Sequence, residues 1–322
     1  MMNIIPHPRL AGLASPRLWS RALIPMLGLT GFLLLWHLLA AQVTTSLGAL
    51  PGPVQTGQQF VNLVQEHQAE RDRERAFYDR QAARNQAIKA KDPDAQVRVR
   101  AFTGRPTFFD QIFTSLKTVA AGFVLAMFVA IPAGIALGLN RNLYQAMNPV
   151  VQLLKPVSPL AWLPLVTIVV SALYVTPEPL VSKSFLISLV TVTLCSLWPM
   201  LINTAVGVAN MDKDLINVSK MLRLGSLTHV RQIVLPSAIP MIFTGMRLSL
   251  GVAWMVLIAA EMLAQNPGLG KFVWDEFQNG SSDSMARIMV AVVVIGLIGY
   301  LLDRLMLALQ QQLSWDKSSA SR

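Results

Sequence analysis

The sequence predicts an all-α integral membrane protein with about six transmembrane helices. Hydrophobic residues make up 53% of the 322 residues and charged residues only 14%, whereas about a quarter of the residues of a soluble domain are charged. A bilayer core of about 30 Å needs about 20 apolar residues in one helix. Six blocks lack Asp, Glu, Lys and Arg altogether, namely residues 22–41, 118–140, 156–177, 184–211, 248–260 and 288–302.

Each block can account for one membrane span. The first four are long enough without any charged residue. The fifth reaches the required length by extending back through residues 232–246 if the one charge between them and the block, Arg247, is tolerated. The sixth extends past Asp303 and Arg304, whose side chains can reach the membrane interface.

Basic residues predict the orientation of the chain. Arg9, Arg17 and Arg21 precede the first block, which places residues 1–21 in the cytoplasm. The first block is longer than the apolar core of a cleaved signal peptide, so we expect a retained span. Six spans then make residues 313–322 a cytoplasmic tail. Orientation by basic flanks also explains the net charge of +10, so the expected environment is a lipid bilayer and nucleic acid is not an expected partner.

Residues 42–111 form a long loop that this orientation places outside the membrane. Residues 50–65 predict a short amphipathic helix. Residues 66–100 are rich in charge, and acidic and basic side chains at helical pair spacing predict a solvated helical insert that ends near residues 92–94. The insert either docks a partner or is a solvated extension without a function of its own.

Missing motifs exclude several classes of function. The sequence contains no GxxxxGK[ST] nucleotide-binding loop and no HExxH or GxSxG pattern. The four histidines are scattered, and Cys195 is the only cysteine. We therefore expect no catalysis, no metal site and no cofactor bound by this chain.

Residues 209–236 are the longest polar stretch after the insert, and they lie on the predicted cytoplasmic side. Asp212 or Asp214 can cap a first helix, and Gly225 is predicted to end it as a left-handed glycine. A second short helix over 227–234 is predicted to stop at the proline that follows.

The first of these helices has an apolar stripe formed by Val218, Met221 and Leu222. Two amphipathic helices that meet at a glycine would form a compact knob suited to a groove in a partner protein. The alternative is a loop that lies on the membrane surface.

This stretch resembles the cytoplasmic EAA loop of ABC importer permeases. Residues 217–219 occupy the E-A-A place without its glutamate and alanines, Gly225 stands at the glycine, and residues 233–236 match the I-x-L-P ending. In that family the loop sits in a cleft of the ATPase subunit and transmits its closure. The resemblance therefore implies an ATPase-coupling role for Ser219, Leu222, Gly225, Ile233, Leu235 and Pro236.

Other segments resemble one branch of the nitrate–sulfonate–taurine permeases, the nitrate/bicarbonate/cyanate branch. The charged insert at 66–105 is similar to that of nitrate permeases of proteobacterial type. The likeness covers about 105–312 and the first span, and it implies a type I ABC importer permease fold with a five-helix core over 112–312. The segments that carry it are KPVSPLAWLP at 155–164, AEML at 260–263, PGLG at 267–270 and WDEF at 274–277.

The resemblance implies a multi-pass protein of the bacterial inner (cytoplasmic) membrane. Its implied partners are a second copy of the permease, two ATPase subunits that bind ATP and Mg, and an external substrate-binding protein. The implied substrate is a small inorganic anion, with nitrate first, nitrite possible, and bicarbonate, cyanate or taurine as alternatives. Other classes are a membrane scaffold or a stand-alone carrier or channel, although the internal repeats typical of carriers are not evident.

The fifth block supplies candidates for the translocation path. Arg247, Trp254 and Glu261 are seven residues apart, which places them close to one face of a helix. Arg247 either lines the path, because its fork of donors matches oxyanions, or forms a structural ion pair. Glu261 is predicted to be structural, since a carboxylate repels an anion. Ser158 and Trp162 of the KPVSPLAWLP segment are further path candidates.

Overall fold

Helices make up most of the described residues. The computed structural model describes residues 16–45, 48–92, 96–175 and 181–313. Within these ranges the only strands are β1 (Thr44–Thr45) and β2 (Gly48–Ala49), which form a short antiparallel hairpin. In chain order the helices are α1 (Pro16–Gln42), α2 (Pro53–Lys91), α3 (Phe108–Leu139), α4 (Arg141–Leu154), α5 (Pro159–Leu173), α6 (Lys183–Ala209), α7 (Lys213–Met221), α8 (Ser226–His229), α9 (Leu235–Ala264), α10 (Leu269–Asn279) and α11 (Ser282–Leu313).

Five of the six predicted spans are confirmed as single long helices. In the described part of the chain, α1, α3, α6, α11 and the continuous helix from α8 through α9 are long and apolar enough to cross a membrane. The third block is different, because α4 and α5 meet this criterion only as a pair bent by 100°. Helix α5 has 15 residues and is about 22 Å long, which is shorter than the bilayer core.

Prolines explain the bend between α4 and α5. Pro156 lies within the break and Pro159 begins α5, and neither can donate a backbone hydrogen bond. The residue before a proline also avoids helical geometry, and Ser158 has an extended backbone with φ −61° and ψ 140°. The apolar block 156–177 therefore continues a bent pair and does not form a straight span by itself.

Helix α6 lies at the centre of the core, where it packs against α3 and α9. Small residues allow α3 to approach it closely. A Cβ atom on Gly134 would lie 2.7 Å from Cβ of Thr204, and one on Gly138 would lie 2.6 Å from Cβ of Val208. Close approach of this kind is how helices associate in membranes, and it makes both glycines necessary for the packing.

Helix α1 stands at the periphery. Only 6% of the most apolar 18-residue stretch of this helix is buried in the protein. The indole Nε1 of Trp36 donates a hydrogen bond to the carbonyl of Pro51 at 3.2 Å, which ties the end of α1 to the start of α2. The exposed apolar faces of α1 suit contact with lipid.

Helix α2 is one continuous helix of 39 residues, about 58 Å long. The predicted division into a short helix and a separate insert is therefore wrong, although the end at Lys91 lies close to the prediction. The sequence from 58 to 92 contains no glycine or proline to interrupt the helix.

The middle of α2 is fixed to the membrane core by polar contacts. The guanidinium of Arg287 on α11 forms ion pairs with Glu66 and with Glu276. The Nη2 atom of Arg71 lies 2.8 Å from Oδ2 of Asp110, at the start of α3. Beyond these contacts the helix continues for about six turns, and we call this part, with the segment 96–107 that returns beside it, the arm.

Candidate functional site

The polar stretch between α6 and α9 folds into two short helices at a sharp turn. The side chain of Asp212 accepts a hydrogen bond from the backbone N–H of Asp214 at 2.9 Å and caps α7. Helix α7 ends at Met221, and α8 begins at Ser226. We call residues 212–231 the knob.

The turn of the knob is closed by a pair of backbone hydrogen bonds. The N–H of Arg223 donates to the carbonyl of Lys220 at 3.1 Å, and the N–H of Leu224 donates to the carbonyl of Ser219 at 3.1 Å. This pair is a Schellman motif, which requires a left-handed residue just after the helix. Arg223 is that residue, with φ 48°.

The predicted role of Gly225 in ending the first helix is therefore wrong. Gly225 has an extended backbone with φ −63° and ψ 153°, and it precedes α8 as the N-cap residue. The left-handed position lies two residues earlier, on an arginine. A left-handed conformation costs a residue with a side chain about 1–2 kcal/mol, and the two backbone hydrogen bonds of the motif offset that cost.

A side-chain contact joins the two helices of the knob. The Oγ atom of Ser219 on α7 lies 2.7 Å from Nδ1 of His229 on α8. Ser219 is buried and His229 is half-buried, so the bond is partly shielded from water. Sequence spacing did not single out His229, because its partner becomes its neighbour only through the turn at Arg223.

The second helix of the knob was predicted to stop at Pro236. This prediction is wrong, because the helix continues into α9. A π-helical turn, Val230–Val234, joins α8 to α9. Pro236 is the second residue of α9, and it lies inside the continuous helix from Ser226 to Ala264. Its ring is incompatible with a regular α-helical bond to the residue four positions earlier, which accounts for the wider turn. Ile233, Leu235 and Pro236 therefore lie where the knob meets α9.

The knob presents an apolar surface without a partner in the described chain. Met221 is 83% exposed, Leu222 65% and Leu227 82%. All three lie close to the turn, on both helices. An exposed apolar group on a polar element marks a surface for protein contact. Ser219 differs from these residues, because it fixes the shape of the knob from within.

A second polar site lies between α9 and α11. The Nη2 atom of Arg247 lies 2.9 Å from Oδ1 and 3.1 Å from Oδ2 of Asp303, and Nε lies 3.1 Å from Oδ1. The pair borders a cavity of about 220 Å³ that Trp254 also lines. The indole Nε1 of Trp254 donates to the carbonyl of Ile295 at 3.0 Å, which fixes the ring. Arg247 and Trp254 therefore share one site, with Asp303 as a member that sequence reasoning missed.

Glu261 is separate from this cavity, although it follows the same spacing along α9. It is fully buried. Both of its carboxylate oxygens lie 2.8 Å from Oγ of Ser115 on α3, and the N–H of Gly270 donates to Oε2 at 3.0 Å. The N–H of Leu269 in turn donates to Oγ of Ser115 at 2.9 Å. This network closes the junction of α3, α9 and α10, which fits the predicted structural role.

The two other path candidates lie on α5, away from Arg247. The side chain of Ser158 accepts from the N–H of Leu160 at 3.3 Å and caps that helix. Trp162 is half-buried, and its indole Nε1 has no hydrogen-bond partner among the described residues. Neither residue lines the cavity beside Arg247, so the candidates fall at two separate places.

Long apolar helices packed around α6, with a polar knob between two of them, define a multi-pass α-helical membrane protein. Residues 109–315 match the family described as binding-protein-dependent transport system inner membrane component. The match covers more than half of the chain, and the chain belongs to this family. The matched range begins at the second residue of α3 and includes the knob and the cavity.

Relatives of the chain include permeases named for nitrate and for bicarbonate. The nitrate import permease proteins NrtB of Leptolyngbya laminosa and of Synechocystis sp. are 36% and 39% identical, and each match covers 66% of the relative and about 60% of this chain. The chain thus spans just under two thirds of the length of these nitrate relatives. The bicarbonate transport system permease protein CmpB of Synechococcus elongatus is 34% identical over 90% of this chain and 88% of its own.

The fold has a counterpart among solved structures. A chain of the inward-facing MetNI methionine ABC transporter superposes with a TM-score of 0.55 at 14% identity. The superposition covers 95% of that chain and 64% of this one. At this identity the likeness concerns the fold alone, and it confirms the predicted ABC importer permease fold.

Proposed function

We propose that the chain is the transmembrane permease subunit of an ATP-driven importer for a small inorganic anion, with nitrate as the substrate. Two copies of the chain would enclose the path, with two ATPase subunits that bind ATP and Mg and an external binding protein that delivers the anion. The family match and the names of the nitrate relatives support this assignment.

The apolar surface of the knob is the observation that carries the coupling part of the proposal. Met221, Leu222 and Leu227 are exposed at a turn that backbone hydrogen bonds and the Ser219–His229 contact hold in shape. A rigid apolar projection gains free energy when it enters a groove of a partner. We assign the ATPase subunit as that partner.

The continuity of the helix from Ser226 to Ala264 supplies a route for transmission. Val234, at the end of the π-helical turn, is fully buried. A displacement of the knob would therefore move α9 as a body, without being absorbed in a loose loop. Helix α9 carries Arg247 and Trp254, so the same movement would change the cavity that these residues line.

Arg247 is suited to contact a passing anion in this scheme. Its hydrogen bonds to Asp303 use Nε and Nη2, and Nη1 has no protein partner in the described ranges. The free N–H groups match the oxygens of a planar anion. Asp303 keeps the local charge near neutral, which favours weak contact and rapid release over tight binding.

Bicarbonate is a second candidate substrate. The bicarbonate relative aligns along 90% of this chain, whereas the nitrate relatives align along about 60% with slightly higher identity. Both anions are planar, carry one negative charge and present three oxygens, so the Arg247 site suits either.

Isolation of the complex tests the coupling proposal. Met221→Asp or Leu227→Asp should remove the ATPase subunit from the purified complex, because a charge replaces an apolar contact. Val99→Asp is the matched control, since Val99 is 78% exposed on the arm. Retention of the ATPase with unchanged stimulated hydrolysis in both knob variants would contradict the proposal. Energised uptake by the chain alone would indicate a stand-alone carrier.

A further inference from the structure

The outer part of the arm carries a strong excess of positive charge. Residues 80–91 and 96–105 contain seven basic residues and no Asp or Glu, and two acidic residues, Asp92 and Asp94, lie between them in the sequence, whereas residues 66–79 contain five acidic residues and three arginines. We call the two basic stretches the arm tip. Its seven basic residues are Arg80, Arg84, Lys89, Lys91, Arg98, Arg100 and Arg105.

Hydrogen bonds to the backbone hold the two halves of the arm tip together. The Oε1 atom of Gln81 accepts from the N–H of Arg100 at 2.7 Å, and its Nε2 donates to the carbonyl of Arg100 at 3.3 Å. The hydroxyl of Tyr78 accepts from the N–H of Phe102 at 3.2 Å. The rings of Phe77 and Phe102 pack with centroids 5.5 Å apart. These contacts use none of the guanidinium groups.

The clamped segments enclose a cleft of about 510 Å³ lined by four arginines, Arg80, Arg84, Arg98 and Arg100. None of the four forms an ion pair with an acidic side chain of the described residues, although eight ion pairs occur elsewhere in those residues. Like charges gathered in one cleft repel each other and oppose folding. A bound acidic group would remove that repulsion.

We propose that this cleft binds an acidic segment of a soluble protein on the side of the membrane where the arm lies. The volume is far larger than one small inorganic anion needs, since it corresponds to roughly fifteen water molecules. Phe77 and Ile88 add apolar wall to the cleft. A peptide with several carboxylates can meet the arginines and cover these side chains at once.

The composition of the arm tip favours a protein over a lipid surface. Helices that lie on membranes combine basic residues with a face of Trp, Phe or Leu. Residues 80–91 contain a single large apolar residue, Ile88, and it lines the cleft. The rest of 80–91 is alanine, glutamine, asparagine and basic residues, and Val99 is the one strongly exposed apolar side chain of 96–105, which is too little to insert among lipid chains.

Peptide binding to the full chain in nanodiscs of zwitterionic lipid tests the proposal without reference to transport. A fluorescein-labelled oligoglutamate peptide should bind with an affinity that falls as salt rises. Arg84→Gln combined with Arg98→Gln should weaken binding about tenfold, because two partly exposed charge pairs are lost. Neither guanidinium takes part in the contacts that close the cleft, so the arm should keep its structure.

The matched control removes the same amount of charge outside the cleft. Lys89→Gln combined with Lys91→Gln should leave the affinity within about threefold of the original, because longer-range charges are screened. An equal loss in both double variants would reduce the effect to general attraction and overturn the proposal. Absence of peptide binding would overturn it as well. Displacement of the peptide by phosphatidylglycerol vesicles or by inorganic phosphate, with the same dependence on Arg84 and Arg98, would assign the cleft to lipid or to a small anion.

Discussion

Arg247 and Asp303 form a two-pronged ion pair across α9 and α11, with 2.9 Å between Nη2 and Oδ1. Fifty-six positions separate them in the sequence. Both side chains are partly exposed at the cavity beside Trp254. The sequence left two alternative roles for Arg247, a structural ion pair and a position on the path. The structure shows features of both, since Arg247 is neutralised by a partner and is accessible from a cavity.

Variants of the two residues separate these properties. Arg247→Ala should reduce transport severely while the complex still assembles, and Arg247→Lys should keep part of the activity because it preserves charge but loses the fork. Asp303→Asn keeps the arginine but removes the neutralising charge, so the anion should be held more tightly and released more slowly, which lowers the transport rate while the complex still assembles. Transport by the reconstituted complex and recovery of the ATPase subunit are measured together. Equal loss of assembly in Arg247→Ala and Asp303→Asn would indicate a purely structural pair.

The turn of the knob gives a prediction that differs from the one the sequence alone suggests. Arg223→Val should weaken the turn, because a β-branched residue adopts the left-handed conformation less readily than arginine does. Gly225→Ser should be tolerated, since Gly225 has an extended backbone, open space around it and an N-cap position that favours serine. Hydrogen exchange of the Leu224 amide, which closes the turn, measures the effect. Faster exchange in Gly225→Ser than in Arg223→Val would contradict the structure.

Arg287 on α11 joins two helices, because it pairs with Glu66 on α2 and with Glu276 on α10. Glu276 is buried and faces Arg287 at 3.2 Å, whereas Glu66 is half exposed. Arg287→Ala should therefore lower the free energy of unfolding by about 1–3 kcal/mol, because it leaves a buried carboxylate without its charged partner. Glu66→Gln should change it by less than about 1 kcal/mol, as for other exposed ion pairs. Thermal unfolding of the purified chain measures the loss of stability in each variant. A loss in Glu66→Gln equal to or larger than that in Arg287→Ala would be inconsistent with this account.

The orientation of the arm can be tested by cysteine labelling. In a Cys195→Ala background, Ala87→Cys on the arm should react with a membrane-impermeant maleimide in intact cells. Ser226→Cys in the knob should react only after the cells are opened, since the knob is predicted to be cytoplasmic. Both positions are exposed. Protection of Ala87→Cys in intact cells would reverse the predicted topology.

The sequence predicted the features that follow from amino-acid composition and from the spacing of apolar residues along a helix. Apolar blocks without charges indicated the spans, because burial of polar groups in a bilayer is costly. It did not predict the bend before Pro159 or the continuation of α8 through Pro236, although both involve prolines. A proline can accompany a break in a helix, as at Pro159, or be accommodated by a wider turn within it, as at Pro236, and the apolar pattern alone does not say which case applies.

The candidate site was only partly predictable for a different reason. The apolar residues of the knob could be recognised from local spacing. The contacts between Arg247 and Asp303, Ser219 and His229, and Glu261 and Ser115 join residues 10 to 146 positions apart. Such contacts depend on how helices pack, and no periodicity within one helix reveals them.

Uptake of labelled nitrate tests the central claim most directly. The chain is reconstituted in vesicles with its ATPase and binding-protein partners, and ATP is supplied on the ATPase side. We predict that labelled nitrate accumulates only when ATP is present. Excess unlabelled nitrate should abolish this accumulation, bicarbonate or cyanate should reduce it less, and taurine should leave it unchanged. Energised accumulation of bicarbonate or taurine without nitrate would contradict the substrate assignment, and nitrate uptake that proceeds equally without ATP would contradict the importer itself.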